Sequence, residues 1–433
     1  MDTINTNHLQ VARMVSPETG ILSHIMRLSR LNNDPRLISY GIWPGQTGAL
    51  GGENFGGRSS GCGWEENDAL LGTVGETLER YSSAFYDIKD AFFGSWLELP
   101  DKGASLHPSE YALFHDKQHA DERFLIKPFT EDLRIHWFRC TDLTTGLENW
   151  VPAQFIYLPF SKDDNYITNT TSTGLAAHTD MNKCLLTALY ESIERDCFTT
   201  TWLQGIVPPK IEITPELESY LGEHIPGKYE WNFFDINFDI GIPSVLGICF
   251  GTAEYGDFVA VGCSTRPTYG EAIQKTIKEI SQGIPYFRFL LGQEKDWMPS
   301  DDYNELQNFE QHSIFYTKRK DLQFVFDPYR AAPATKVIDL YEPRPRNDRD
   351  EVKHVLQLIK NVGCNVMFRD TTTPDVRQSG FFTVRAFIPQ FVQLAGGYPF
   401  YYNGAKRLYE TPAKMGYPVR DYDNLVKYPH PFP

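Results

Sequence analysis

At 433 residues, with 41% hydrophobic and 22% charged content, the chain can bury a large core and has the make-up of a soluble globular enzyme. Its net charge of −15 argues against a nucleic-acid partner, because gripping a phosphate backbone takes a basic surface. The opening MDTINTNHLQVARM has no basic segment followed by an apolar core, and no run of about 18 apolar residues occurs, so neither a signal peptide nor a membrane span is expected and a cytoplasmic location is.

The first 60 residues are irregular and become glycine-rich before a helix near 66–86 that contains ALLGTVGETLERY at 69–81. Segments RIHWFRCTDL and NWVPAQFIYLPF within 134–160 predict two strands joined by the turn TTGLE. A second helix over about 180–203 carries CLLTALYESIERD at 184–196. Aligning Glu76 with Glu191 superposes Leu71 on Leu186, Glu79 on Glu194 and Arg80 on Arg195. After the strand-like runs EWNFFDINF, PSVLGICFG and DFVAVGCST, a third helix near 270–291 holds a fainter copy, AIQKTIKEISQG, with Glu279 and Gln282 in the two acidic slots. Polar residues 292–312 predict an exposed insertion, and Val352, Val355, Leu356 and Ile359 mark a helix near 348–362 that stops at Gly363. Strand-like NVMFRDTT and GFFTVRAFIP follow. Strands and helices alternate without a parallel-sheet rhythm, so the fold class is α+β, with sheets packed against three motif helices that converge on one site.

Each copy follows small residues: GGRSSGCG at 56–63, TSTGLAA at 171–177 and GCSTR at 262–266. Glu-x-x-Glu puts both carboxylates on one helix face, here within a mostly apolar frame, so the acids should point inward and need a cation between them. Glu76, Glu79, Glu191, Glu194 and Glu279 could hold Mg²⁺, a hard ion that favours oxygen and often shares phosphate ligands. Arg80 and Arg195 could clamp phosphate oxygens, and Ser59, Ser60, Gly61, Ser172, Thr173 and Gly174 could cradle an anion with hydroxyls and backbone N–H groups. Together these parts describe a triphosphate site without a Walker loop or a Rossmann turn. The plain alternative is an old duplication with structural salt bridges. Seven scattered cysteines with no Cys-x-x-Cys predict reduced thiols and no structural zinc, and Cys62 and Cys184 suit packing. His24, His178 and His430 stand alone in sequence.

At this point the residues carry a resemblance. SSGCGWEENDALLGTVGETLERYSS, TSTGLAAHTDMNKCLLTALYESIERD and EAIQKTIKEISQ resemble the three signatures of the YcaO superfamily. VSPETGILSHI, VRAFIPQFVQLAGGYPFYYNGAKRLYETP and the terminal PHPFP resemble its azoline-forming branch, the D-protein of thiazole/oxazole-modified peptide biosynthesis. The resemblance covers the whole chain and implies one YcaO-like domain over 1–433, divided into a lead-in 1–65, an ATP/Mg²⁺ core 66–291, an exposed insertion 292–320 and a C-terminal part 321–433. It implies ATP and Mg²⁺ as cofactors. Glu76, Glu191, Glu194 and Glu279 fall on metal positions; Ser59, Ser60, Gly61, Glu79, Arg80, Ser172, Arg195 and Gln282 fall on ATP positions. The sequence departs from common family patterns at Gly61-Cys62-Gly63, at Ser172-Thr173-Gly174, and near Thr179 and Lys183.

The implied reaction is attack of a Cys, Ser or Thr side chain on the preceding backbone amide, phosphorylation of the amide oxygen, and loss of phosphate to give a thiazoline or oxazoline. Thioamide or amidine formation and a non-catalytic docking scaffold are the rival readings. Implied partners are a ribosomally made precursor peptide, a separate ThiF-like protein that grips its leader, and a flavin-dependent dehydrogenase, with room for a homodimer. No space for a fused ThiF-like part is expected, because the resemblance starts within the first 20 residues. Pro429-His430-Pro431-Phe432-Pro433 is expected to form an extended rod of about 3 Å per residue, placing the Pro433 carboxylate or His430 as the catalytic proton carrier. On composition alone the same stretch would be a frayed end.

Overall fold

A computed structural model describes residues 6–433; the first five residues of the expected lead-in, and with them the start of MDTINTNHLQVARM, lie outside the described residues. The chain divides into two compact units, each drawn from three separated stretches. The first takes the residues up to Leu28, Ile38–Ser192 and Arg346–Phe391; the second takes Ser29–Leu37, Ile193–Pro345 and Val392–Pro433. Neither unit coincides with one of the expected sequence blocks.

In the first unit, strands Leu22–Arg27, Ile38–Pro44 and Ser59–Gly63 form an antiparallel sheet in that order. Helix Glu66–Ser83 packs on it, burying Leu70, Thr73, Val74, Thr77, Leu78 and Tyr81, the inward face of a 3.6-residue period. The predicted strand pair is the hairpin Ile135–Asp142 and Leu147–Pro152. Its second strand was expected to reach residue 160 but ends at Pro152, which has no N–H to give the ladder. The chain turns instead through Ala153–Phe155, where the Phe155 carbonyl accepts the Nε–H of Arg385 at 2.8 Å. Phe92–Gly94, Met367–Asp370, Phe382–Phe387 and Leu175–His178 complete a six-stranded sheet around Ile135–Asp142. Trp137, Phe138, Phe155 and Phe160 fill its core, and Phe155 stacks on Phe387 at 4.6 Å. Helix Asp348–Asn361 starts at Asn347, whose side chain accepts the Asp350 N–H, and stops before Gly363 at φ 78°.

In the second unit, Gly256–Thr265, Ser244–Ala253, Glu230–Asp235, Lys210–Ile211 and Ala334–Lys336 form a five-stranded sheet. Helix Tyr269–Gln293 presses on this sheet where Gly247 faces Gly262 across the hairpin. A Cβ on Gly247 would meet Thr276 at 2.6 Å and one on Gly262 would meet Ile280 at 2.8 Å, so the glycine pair permits the close approach. The expected exposed insertion holds only in part. Residues 301–305 are largely exposed, but Phe309–Lys318 is a helix that buries His312, Ile314, Phe315 and Tyr316. Its apolar run begins where the polar window ends, which hid the helix from a reading of local composition. The fold is α+β, as expected, and no helix among the described residues is long and apolar enough to cross a membrane.

Candidate active site

Within the first unit, the stretch expected to be a phosphate-cradling loop is the strand Ser59–Gly63. Its glycines serve packing: a Cβ on Gly61 would lie 2.6 Å from the Thr73 nitrogen and one on Gly63 2.7 Å from the Ala69 nitrogen. Ser59 is buried and Ser60 half-buried in that strand. The second small-residue stretch keeps its loop. Gly174 sits at φ 83°, a conformation that favours glycine, and a Cβ there would strike the Ala386 carbonyl at 2.2 Å. Its N–H donates to Glu191 Oε2 at 3.0 Å, which ties this loop to the second acidic helix, Met181–Gln204. Ser172 closes the turn by accepting the Leu175 N–H on its carbonyl at 2.8 Å.

Glu76, Glu79 and Arg80 of the first acidic helix share this neighbourhood. Arg80 Nη2 lies 3.6 Å from Glu76 Oε1, and its Nε lies 3.5 Å from Glu79 Oε1. Both contacts are ion pairs without hydrogen-bond geometry, and the buried Arg80 Nε–H has no acceptor among the described residues. Burial first, then the charges of Glu191 and Glu76, hold the Glu79 carboxyl well above the usual carboxylate range, while Arg80 pulls it down. Acidic residues from two repeat copies therefore repel one another around a guanidinium.

This set fits Mg²⁺ and a phosphate. Its donors are all oxygen, and a buried N–H is left for an anion. Among the described residues no three His, Cys, Asp or Glu side chains close into a ready-made cage; Mg²⁺ needs none, since it binds through one or two carboxylates plus water and substrate phosphates.

Without metal, the folded protein keeps the Glu79 proton where the unfolded chain has lost it, so stability falls as pH climbs from the ordinary carboxylate value through the raised one. Glu79→Gln removes that cost. In metal-free buffer its thermal midpoint should exceed the parent's at about pH 8, with the advantage shrinking towards about pH 4.5; equal midpoints across that range would contradict the assignment.

In the second unit, Glu194 is buried and its Oε1 lies 3.7 Å from Arg195 Nε. The Arg195 guanidinium lies over the Phe432 ring, 4.3 Å from its centroid. Glu279 accepts from Lys275 Nζ at 2.9 Å, one turn away on helix Tyr269–Gln293, with Gln282 further along it. The Cys263 thiol is pushed up by burial, then by Glu194, with a smaller push from Glu279 and an opposing pull from Arg195. All seven cysteines are buried and none forms a disulfide.

Pro429–Phe432 are buried, so this stretch is not frayed, while Pro433 is exposed. His430 is engaged through both ring nitrogens: Nε2–H donates to the Ala395 carbonyl at 2.8 Å, and Nδ1 accepts the Phe432 N–H at 3.3 Å. Burial, then His312, pushes it well below the usual histidine range, so the ring is neutral. The proton-carrier role expected of His430 lacks an open nitrogen, and the geometry assigns the ring to holding its own segment.

Sequence reasoning passed over three partners. Lys275 stood beside Glu279 as an ordinary i,i+4 neighbour. Phe432 was a residue between prolines. Arg407 bridges Asp196 Oδ2 and Asp239 Oδ1, each at 2.7 Å, and Asp196 also accepts the Val392 N–H, anchoring the turn after Arg195. The only available signal for Arg407 was its place in the segment that resembles the family.

The structure resembles a heterocyclase in complex with substrate and cofactor, with a TM-score of 0.77, 18% identity and 99% of this chain covered. It also resembles YcaO from Methanopyrus kandleri bound with AMPPCP and Mg²⁺, with a TM-score of 0.59, 16% identity and 86% of each chain covered. A third likeness is to the E. coli microcin synthetase McbBCD complex with pro-MccB17 bound, with a TM-score of 0.59, 18% identity, and 87% of this chain and 91% of that one covered. At such identities the likeness is one of fold, and the chain spans 58% of the heterocyclase's length. A comparison with curated protein sequences gives no match. The family model described as YcaO cyclodehydratase, ATP- and Mg²⁺-binding, matches residues 60–392. That match takes in most of the chain, which therefore belongs to the YcaO family.

Proposed function

We propose that the protein is an ATP- and Mg²⁺-dependent cyclodehydratase that forms thiazolines and oxazolines in a ribosomally made precursor peptide. The observation that carries this reading is the group of Glu76, Glu79 and Glu191 around Arg80, whose buried Nε–H lacks an acceptor among the described residues. Like charges held together at a half-buried site favour a cation, and the Arg80 Nε–H, ion-paired only loosely with Glu79, offers a donor to an oxyanion. Glu76, Glu191, Glu194 and Glu279 are the proposed metal ligands. Glu79, Arg80, Arg195, Gln282, Ser172 and the strand residues Ser59, Ser60 and Gly61 are the proposed nucleotide contacts.

An amide carbonyl is a weak electrophile and its oxygen a poor leaving group. Addition of a Cys, Ser or Thr side chain to that carbon, transfer of the γ-phosphoryl group of ATP to the former amide oxygen, and departure of phosphate with the nitrogen's proton leave a C=N ring. Each ring then costs the peptide one water and the solution one ATP. Mg²⁺ bound at the carboxylates would neutralise charge on the phosphates. The chain's own part is positioning: Arg80 and Arg195 offer planar forks to phosphate oxygens, and Gly174 orients Glu191. Pro433 remains the proposed proton acceptor, with His430 holding the segment that leads to it.

The precursor peptide, a separate ThiF-like leader-binding protein and a flavin-dependent dehydrogenase are the proposed partners; the similar fold in the McbBCD complex with pro-MccB17 bound supports a place in a complex. ADP and phosphate release should rise when a Cys-rich precursor is added, and rise further with the leader-binding companion. Release that ignores the precursor under both conditions would favour a scaffold or another reaction.

A further inference from the structure

The stretch from Lys427 to Phe432 is held by an unusual series of contacts. Four successive carbonyls each accept from a side chain: Lys427 from the Tyr398 hydroxyl at 2.7 Å, Tyr428 from Trp202 Nε1–H at 3.0 Å, Pro429 from the Tyr316 hydroxyl at 2.7 Å and His430 from His312 Nδ1–H at 2.8 Å. A proline-alternating backbone lacks every second N–H and cannot join a sheet, so its buried carbonyls need donors of this kind. The His430 ring also stacks on His312, with centroids 3.9 Å apart and planes 8° apart. These contacts fix the register of the segment residue by residue. What that register delivers is Phe432, 2% exposed, its ring 4.7 Å from that of Phe198 and its face beneath the Arg195 guanidinium.

We propose that Phe432 is a positioning residue for Arg195: its ring sets the plane of the guanidinium that receives the nucleotide's phosphates, and the four donors hold the segment in register for that purpose. The inference rests on the proposed phosphate-binding role of Arg195. All five N–H donors of a guanidinium lie in its plane, so a ring stacked on one face presents the fork edgewise to an anion. A slip of one residue in either direction would put Pro431 or Pro433 at the place of the aromatic ring.

The test is the affinity for a non-hydrolysable ATP analogue with Mg²⁺, measured by titration calorimetry, together with KM for ATP and KM for the precursor. Phe432→Leu should weaken analogue binding about tenfold and raise KM for ATP, with KM for the peptide nearly unchanged. Phe432→Tyr, which keeps the aromatic face, should stay within about twofold of the parent. Tyr316→Phe, which removes one clamping hydroxyl, should weaken the analogue about threefold. Combining Phe432→Leu with Arg195→Ala should cost no more than Arg195→Ala alone. If Arg195→Ala weakens binding but Phe432→Leu does not, or if the two losses add, the positioning role is wrong while the nucleotide assignment stands. An equal loss in Phe432→Leu and Phe432→Tyr would also overturn it, since the face of the ring would then be irrelevant. If Arg195→Ala leaves analogue affinity unchanged, the phosphate-binding role itself fails.

Discussion

Glu191→Gln is expected to lower ATP turnover at least ~100-fold while leaving the circular dichroism spectrum unchanged. Glutamine keeps the size of the side chain and still offers an oxygen to the Gly174 N–H, now 3.0 Å from Oε2, so the loop stays anchored. What it loses is the charge felt by Glu79 and Arg80. A carboxylate that positions Mg²⁺ has no neutral substitute, because an amide oxygen binds the cation far more weakly and the phosphates then lose their counter-charge. Glu194→Gln should behave alike, since Glu194 follows one helical turn later and stands beside Arg195. Unchanged turnover in both variants, with the fold intact, would remove these residues from the metal site.

Gly174→Ala should be the most damaging single methyl group in the first unit. The residue lies at φ 83°, and the new Cβ would meet the Ala386 carbonyl at 2.2 Å, a distance no relaxation of a flexible side chain can relieve because the obstacle is backbone. The strand must open there or the loop must leave its place. Either route breaks the Ala386 N–H to Gly174 carbonyl bond at 2.8 Å and frees Glu191 from its anchor. A destabilisation of about 2–4 kcal/mol is expected, read as a lower urea midpoint, together with loss of nucleotide binding. Glycine-to-alanine exchange at Gly222, inside helix Pro215–His224 with open space around it, is the control and should not lower the midpoint or nucleotide binding. A Gly174→Ala protein with the parent's midpoint would show that the loop is not held as described.

Glu66–Ser83 and Tyr269–Gln293 were legible because each buries one face with a 3.6-residue period, and Met181–Gln204, buried on nearly every side, because its long apolar frame repeats the same Glu-x-x-Glu-Arg pattern. Glu66–Ser83, Met181–Gln204 and Tyr269–Gln293 lie within a few residues of their predicted spans. The hairpin Ile135–Asp142 with Leu147–Pro152 was legible for a similar reason, its turn residues standing between two alternating runs. The strand Ser59–Gly63 was not, because SSGCG has the composition of a loop and becomes a strand only when Ile38–Pro44 pairs with it and helix Glu66–Ser83 needs its glycines. Helix Phe309–Lys318 was masked by polar neighbours, and the carbonyl clamp draws on Trp202, His312, Tyr316 and Tyr398, which lie far from residue 427 in sequence. Local pattern finds elements; it has no access to pairings between distant segments.

The most direct measurement of the central proposal is the mass of a Cys-rich precursor peptide after incubation with the protein, ATP and Mg²⁺, with and without a ThiF-like protein. Azoline formation predicts successive losses of about 18 Da, each matched by one ADP and one phosphate, as follows from loss of one water per ring through phosphoryl transfer. A gain of about 16 Da per site would mean thioamide chemistry, and an unchanged mass with no nucleotide consumed would contradict catalysis of cyclodehydration altogether.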